Sequence, residues 1–229
     1  EVFHKGIGSV AERNFRPHVN CVNITPDQKY LCAVDLGVDQ VKIYKFNDET
    51  GKITLVDMLR CELESAPRII KFSPDGRFAY LICELKNYIS VYSYKDGPRG
   101  PVFELVQTIS TLNEYHSKGS AACVLRFSRD WNYVLCSNAG DNSVGIFKID
   151  RETGMLEKIC ILPVSGDYPK AADFFPDNRH IMALNHESNT MTIFRINYEK
   201  KYFSLWGKPL KVETPNCVLV SEIEEAPKQ

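Results

Sequence analysis

With 229 residues, 44% of them hydrophobic and 25% charged, the chain has the composition of an ordinary globular domain and enough length to bury a sizeable core. Its formal net charge of -1 gives no basic footprint for nucleic acid and no polybasic face for a membrane surface, so neither is expected as a partner. No apolar run approaches the roughly 20 residues of a membrane-spanning helix, and the opening Glu1-Val2-Phe3-His4 has neither the basic nor the apolar region of a secretory leader, so a cytoplasmic location is expected.

In chain order, the first unit predicts four strands: residues 19–24, then, after the turn Thr25-Pro26-Asp27, Lys29 to Val34, then Val41 to Phe46, then Ile53 to Arg60. The same frame returns downstream. Related turns stand at Ser73-Pro74-Asp75, Ser128-Arg129-Asp130 and Phe175-Pro176-Asp177, and 14 residues after each aspartate an apolar strand opens, at Val41, Ile89, Val144 and Met191. In these strands the first and third residues are apolar, and so is the fourth, which is aromatic in every copy (Tyr44, Tyr92, Phe147 and Phe194). Alternation sends those positions to opposite faces, so both faces of the sheet are apolar. A sheet packed on both sides by others like it, a β-propeller blade, fits that pattern. The predicted architecture is therefore one all-β propeller domain over residues 1–229, with four-stranded antiparallel blades near 16–62, 66–111, 119–164 and 168–212. Residues 1–15 and 214–223 are expected to be flanking strands of adjacent blades, and the last residues, from Ser221 on, a frayed tail. Four blades leave open edges and are fewer than most propellers have, so the chain is expected to be part of a longer one, or to self-associate through those edges.

The eight cysteines show neither CxxC nor zinc-like spacing with histidine, and most fall inside apolar strands, so they are expected to be reduced structural thiols with no metal bound. No cofactor is expected.

Propeller wiring brings the loop leading into each first strand and the corner between the second and third strands to one end of the central channel. The Pro-Asp turns go to the other end. That first end gathers Arg13 and His18 from blade one, Arg68 and Glu84 from blade two, Asn138 from blade three, and Lys170, Asn185 and His186 from blade four. The set is cationic, with one carboxylate and two imidazoles. It suits an anionic small molecule and a proton transfer. The bland alternatives are a His18 that caps a strand and an Arg68–Glu84 pair that is only a structural ion pair. His4, His116 and His180 have no supporting cluster in the sequence.

Arg13 with Pro17-His18, Pro67-Arg68, Glu84-Leu85 and Gly119-Ser120-Ala121-Ala122 resemble motifs of the seven-bladed propeller lactonase family, which includes 6-phosphogluconolactonases and muconate-type lactonizing enzymes. The resemblance covers nearly the whole chain and would align it with the later blades of such a ring. Arg13, Asn138, Lys170, Asn185 and His186, gathered at the same mouth by the wiring, are the expected substrate-binding residues, and the resemblance implies His18, Arg68 and Glu84 as catalytic residues. It also implies a lactone or sugar acid carrying negative charge as the small-molecule partner. The chain departs from the family pattern at Ala139, where an arginine is usual, and at Cys123, where glutamate is usual. It also departs at Asn14, Asn20, Ile69 and Lys170. The leading expectation is hydrolysis of an anionic sugar lactone, with His18 or Glu84 as the general base. The alternatives are a propeller that binds an anionic ligand or a protein without chemistry, and a lactonizing isomerase.

Overall fold

The computed structural model describes residues 1–8, 15–116 and 118–221. Arg13, Asn14 and the tail beyond Ser221 lie outside the described residues. The chain forms four antiparallel meanders, each with its strands in sequence order. Blade one comprises β1 (Val19–Ile24), β2 (Tyr30–Asp35), β3 (Gln40–Phe46) and β4 (Ile53–Arg60). Blade two comprises β5 (Pro67–Phe72), β6 (Phe78–Cys83), β7 (Tyr88–Gly97) and β8 (Gly100–Ser110). Blade three comprises β9 (Ala122–Phe127), β10 (Tyr133–Asn138), β11 (Ser143–Ile149) and β12 (Leu156–Pro163). In blade four, β13 (Pro169–Phe174), β14 (His180–Asn185) and β15 (Thr190–Asn197) are followed by an outermost strand in two pieces, β16 (Tyr202–Leu205) and β17 (Leu210–Lys211), both paired with β15. No helix among the described residues is long and apolar enough to cross a membrane.

The two-faced apolar pattern of the third strands is what packs the blades together. Ile89 and Val91 of β7 join the core between blades two and three, whereas Tyr92 of the same strand joins the core between blades one and two. Phe147 of β11 likewise points back to blade two, while Val144 and Ile146 point forward to blade four. Buried thiols fill gaps in these cores. Burial pushes the Cys32, Cys83 and Cys136 thiols up to about 12 and that of Cys160 up to about 11, which leaves them protonated and unreactive.

A repeated polar staple holds each blade to the next. Asp39, Asn87, Asn142 and Asn189 adopt left-handed backbone conformations, with φ of 54°, 52°, 55° and 53°, which short polar side chains tolerate better than others. Each reaches the loop that leads into the following blade. Asp39 accepts from the Ala66 amide at 2.8 Å, Asn87 donates to the Ser120 carbonyl at 2.9 Å, Asn142 accepts from the Tyr168 amide at 2.8 Å, and Asn189 accepts from the Thr214 amide at 2.7 Å.

At the opposite end, Asp27, Asp75, Asp130 and Asp177 each accept from the amide two residues on, at 2.9 to 3.2 Å, across a residue with positive φ. Burial works against ionisation of Asp75, Asp130 and Asp177, but hydrogen bonds from Ser73 and Arg77, from Ser128 and Asn132, and from His180 and Arg179 outweigh it and hold these carboxyls below their usual range. A depressed native pKa contributes stability above the unfolded-state value of about 3.9, and that stability is lost as pH falls through the native value. Asp173 opposes the trend, because burial raises its pKa against the pull of Arg126. The thermal midpoint at fixed ionic strength is therefore expected to be flat above about pH 5 and to fall below about pH 4, with a shallower fall in Asp75→Asn.

Residues 1–8 and 214–221 join no sheet among the described residues. Residues 214–221 run from blade four to blade three: the Pro215 carbonyl meets His186 Nδ1 at 3.3 Å, and the Val220 carbonyl accepts from Arg129 in the β9–β10 turn at 2.5 Å. The outward face of blade one stays exposed and apolar at Val22, Ile24 and Phe46.

Candidate active site

Every blade opens with the same irregularity. In the β1–β2, β5–β6, β9–β10 and β13–β14 ladders, the register slips by one residue at the start of the first strand and skips Asn20, Arg68, Cys123 and Lys170. A bulge of this kind re-aims a side chain. In blade two the re-aimed side chain is Arg68, which lines a cleft of about 620 Å³ together with Phe15, Arg16, Pro17, His18, Leu36 and Glu84.

Arg68 is held from two sides. Its Nη1 donates to Glu84 Oε2 in a short charge-assisted bond, and its Nε donates to the Cys123 carbonyl of blade three at 2.8 Å. Neither bond uses Nη2, and the side chain keeps 29% of its surface exposed. Glu84 is 2% exposed and lies one residue past β6, where its own amide donates to the Ala66 carbonyl and its carbonyl accepts from the Ala122 amide. The structural ion pair considered from the sequence is therefore present, and it holds a partly exposed guanidinium in the cleft.

His18 stands across the cleft on the loop into β1. Its backbone makes the capping bonds: the amide donates to Asp35 Oδ1 at 2.7 Å and the carbonyl accepts from Leu36 at 3.0 Å. The imidazole is exposed and makes no hydrogen bond among the described residues. This loop passes directly over Gly37, where a Cβ would fall 1.7 Å from the Arg16 carbonyl oxygen and 2.9 Å from the His18 nitrogen. Gly37→Ala is expected to displace the loop, costing about 1–3 kcal/mol of stability and at least tenfold in affinity for a sugar acid. Denaturant unfolding and calorimetric titration check the two parts.

The remaining expected residues are placed differently. Asn138 and Asn185 are fully buried at the ends of β10 and β14 and lie outside the lining of the cleft. They pin the corners: Asn138 donates to the Thr111 carbonyl and Ser143 Oγ, and Asn185 donates to Thr190 and Thr192. Being the last paired residue of the second strand turns each of them inward. Lys170 lies outside the cleft lining, half-buried, with its ammonium 5.7 Å from the Tyr168 ring centroid. His186 faces the Pro215 carbonyl. Of the three histidines with no supporting cluster in the sequence, His4 and His180 pair with Asp35 and Asp177. Among the described residues, no cluster of three His, Cys, Asp or Glu side chains has metal-binding geometry.

The family description "Lactonase, 7-bladed beta-propeller" matches residues 1–220. The chain belongs to this lactonase family. It is 28% identical over 218 residues to the 6-phosphogluconolactonase of Bacillus subtilis, covering 95% of this chain and 61% of that protein. It is 33% identical over 218 residues to an uncharacterized protein of Lactococcus lactis, covering 95% and 62%. Among solved structures, the periplasmic gluconolactonase of Pseudomonas aeruginosa superposes with a TM-score of 0.82 at 27% identity, covering 91% of this chain and 58% of that one. A protein from Lactobacillus plantarum gives 0.83 at 28% identity, covering 93% and 61%. The chain thus spans between 55% and 63% of the length of the curated relatives it matches.

Set beside the lactonase family, the blade-three sector of the mouth stands out. Ala139 is fully buried and packs with Ala121, Cys123 and Tyr168 in a small apolar cluster. At the two positions where the resemblance implies an arginine and a glutamate, the chain has Ala139 and Cys123.

Proposed function

We propose that the chain carries the catalytic cleft of a lactone hydrolase acting on an anionic sugar lactone of the 6-phosphogluconolactone type. The observation that supports this is the convergence of His18, Arg68 and Glu84 on one cleft in a lactonase-family fold. Of the two base candidates, Glu84 is buried and engaged by Arg68, whereas the His18 imidazole is exposed and unengaged, so His18 is assigned the proton transfer. A water oxygen attacks the lactone carbonyl carbon and gives its proton to His18. Arg68 stabilises the negative charge that develops on the carbonyl oxygen. When the ring C–O bond breaks, the departing alkoxide takes the proton back from the imidazolium. Glu84 holds the guanidinium in place throughout, and Arg16 adds positive charge at the rim.

A second reading, binding without turnover, draws on the apolar Ala121–Cys123–Ala139 sector, which removes charged groups from the mouth. Calorimetry with 6-phosphogluconate, the product acid, separates the two readings when paired with turnover. Binding lost in Arg68→Ala together with turnover in the unmodified chain supports the hydrolase, and binding without turnover supports the second reading. A cytoplasmic site of action belongs to the same proposal and is supported by the free thiols of the core. Self-association is supported by the exposed apolar face of blade one and would be read by light scattering.

A further inference from the structure

His4 stands 11 residues before Phe15, where the cleft lining begins, and has no supporting cluster in the sequence. In the structure its side chain is 7% exposed and sits between two partners, with Nδ1 2.5 Å from Asp35 Oδ2 and Nε2 2.9 Å from the Tyr44 hydroxyl. Burial raises the Tyr44 pKa, so its hydroxyl keeps its proton and can donate it to Nε2. With Nε2 accepting, the Nδ1–H donates to Asp35. Asp35 is fully buried and spends its other oxygen on the loop: Oδ1 accepts from the His18 amide at 2.7 Å and from the Gly37 amide at 3.2 Å. The chain of bonds therefore runs from Tyr44 on β3, through His4 in the N-terminal segment, to a buried carboxylate, and ends on the backbone of the residue that presents its imidazole to the cleft.

A carboxylate with no solvent exposure needs every one of these donors. Two come from the backbone it orients. The third comes from a side chain outside the blade, and only that third donor can be removed without substituting a residue of the cleft's own loop. We propose that His4 and Asp35 are positioning residues of the cleft: His4 aims the Asp35 carboxylate, which fixes the His18 backbone and with it the place of the imidazole opposite Arg68. The kinetic part of this inference rests on the hydrolase reading, while its structural part does not.

The test uses the whole chain with His4→Ala and His4→Asn, since the asparagine Nδ2 falls close to the position of the imidazole Nδ1 and can donate to Asp35. Amide exchange followed by NMR is expected to quicken at least tenfold at His18 in His4→Ala, with the core amides of β6 and β10 unchanged, and to return to within about threefold of the unmodified rate in His4→Asn. In lactone hydrolysis, His4→Ala is expected to lower kcat at least tenfold with KM moving less than about threefold, and His4→Asn to restore it. Unchanged His18 exchange in His4→Ala overturns the proposal, as does a kcat loss that His4→Asn does not restore. Faster His18 exchange in a chain that hydrolyses no lactone upholds the positioning role and overturns the hydrolase reading instead.

Discussion

His18→Gln is expected to lower kcat/KM for lactone hydrolysis by about 10² to 10⁴, the range that a positioned general base supplies. Glutamine keeps polarity and approximate size but cannot take up a proton at neutral pH. The backbone bonds that hold the loop, from the His18 amide to Asp35 and from Leu36 to the His18 carbonyl, involve no imidazole atom and persist in the variant. Stability should therefore move by less than about 0.5 kcal/mol, as for other exposed substitutions. Glu84→Gln makes the contrast. Its amide oxygen still accepts from Arg68, so a residue that only holds the guanidinium should lose far less activity than the base does. Steady-state kinetics on the two variants, with unfolding midpoints measured alongside, separates the roles. A Glu84→Gln loss equal to or larger than that of His18→Gln would reverse the assignment of the base.

Phe147→Ala is expected to destabilise the chain by about 3–5 kcal/mol, the largest single effect on stability in this account. Phe147 has no exposed surface and packs between blades two and three with Tyr80, Leu125 and Leu156. Its ring also presses on Gly145, where a Cβ would come within 3.0 Å of it. Strands braced on both sides cannot collapse into the space that the ring leaves, so the cavity cost adds to the lost transfer energy. Denaturant unfolding checks the figure, and a cost under about 1.5 kcal/mol would show that the blades re-pack freely.

The fold was legible because two signals reinforced each other. The Pro-Asp turns gave the period, and the aromatic fourth residue of each third strand gave the two-faced packing that a single wet-faced sheet would not need. A third periodic signal was present and went unread: Asp39, Asn87, Asn142 and Asn189 each stand 12 residues after a turn aspartate, and these are the left-handed staples between blades. The site was legible only in outline. Loops assigned to one end of the channel do bring His18, Arg68 and Glu84 together, whereas Asn138 and Asn185 are buried in their corners because the last paired residue of a strand and the first residue of the corner point in opposite directions. The bulge that frees Arg68 leaves no mark in hydrophobic alternation, since it inserts a residue without changing the residue types around it. His4 was missed for a different reason, as both its partners, Asp35 and Tyr44, are at least 31 residues away.

The most direct test of the hydrolase assignment is base uptake at constant pH during hydrolysis of 6-phosphogluconolactone, compared with the spontaneous rate in the same buffer. The account predicts saturable acceleration by the purified chain, lost in Arg68→Ala while the unfolding midpoint stays within a few degrees. A rate equal to the spontaneous one, or an acceleration that survives Arg68→Ala, would contradict it.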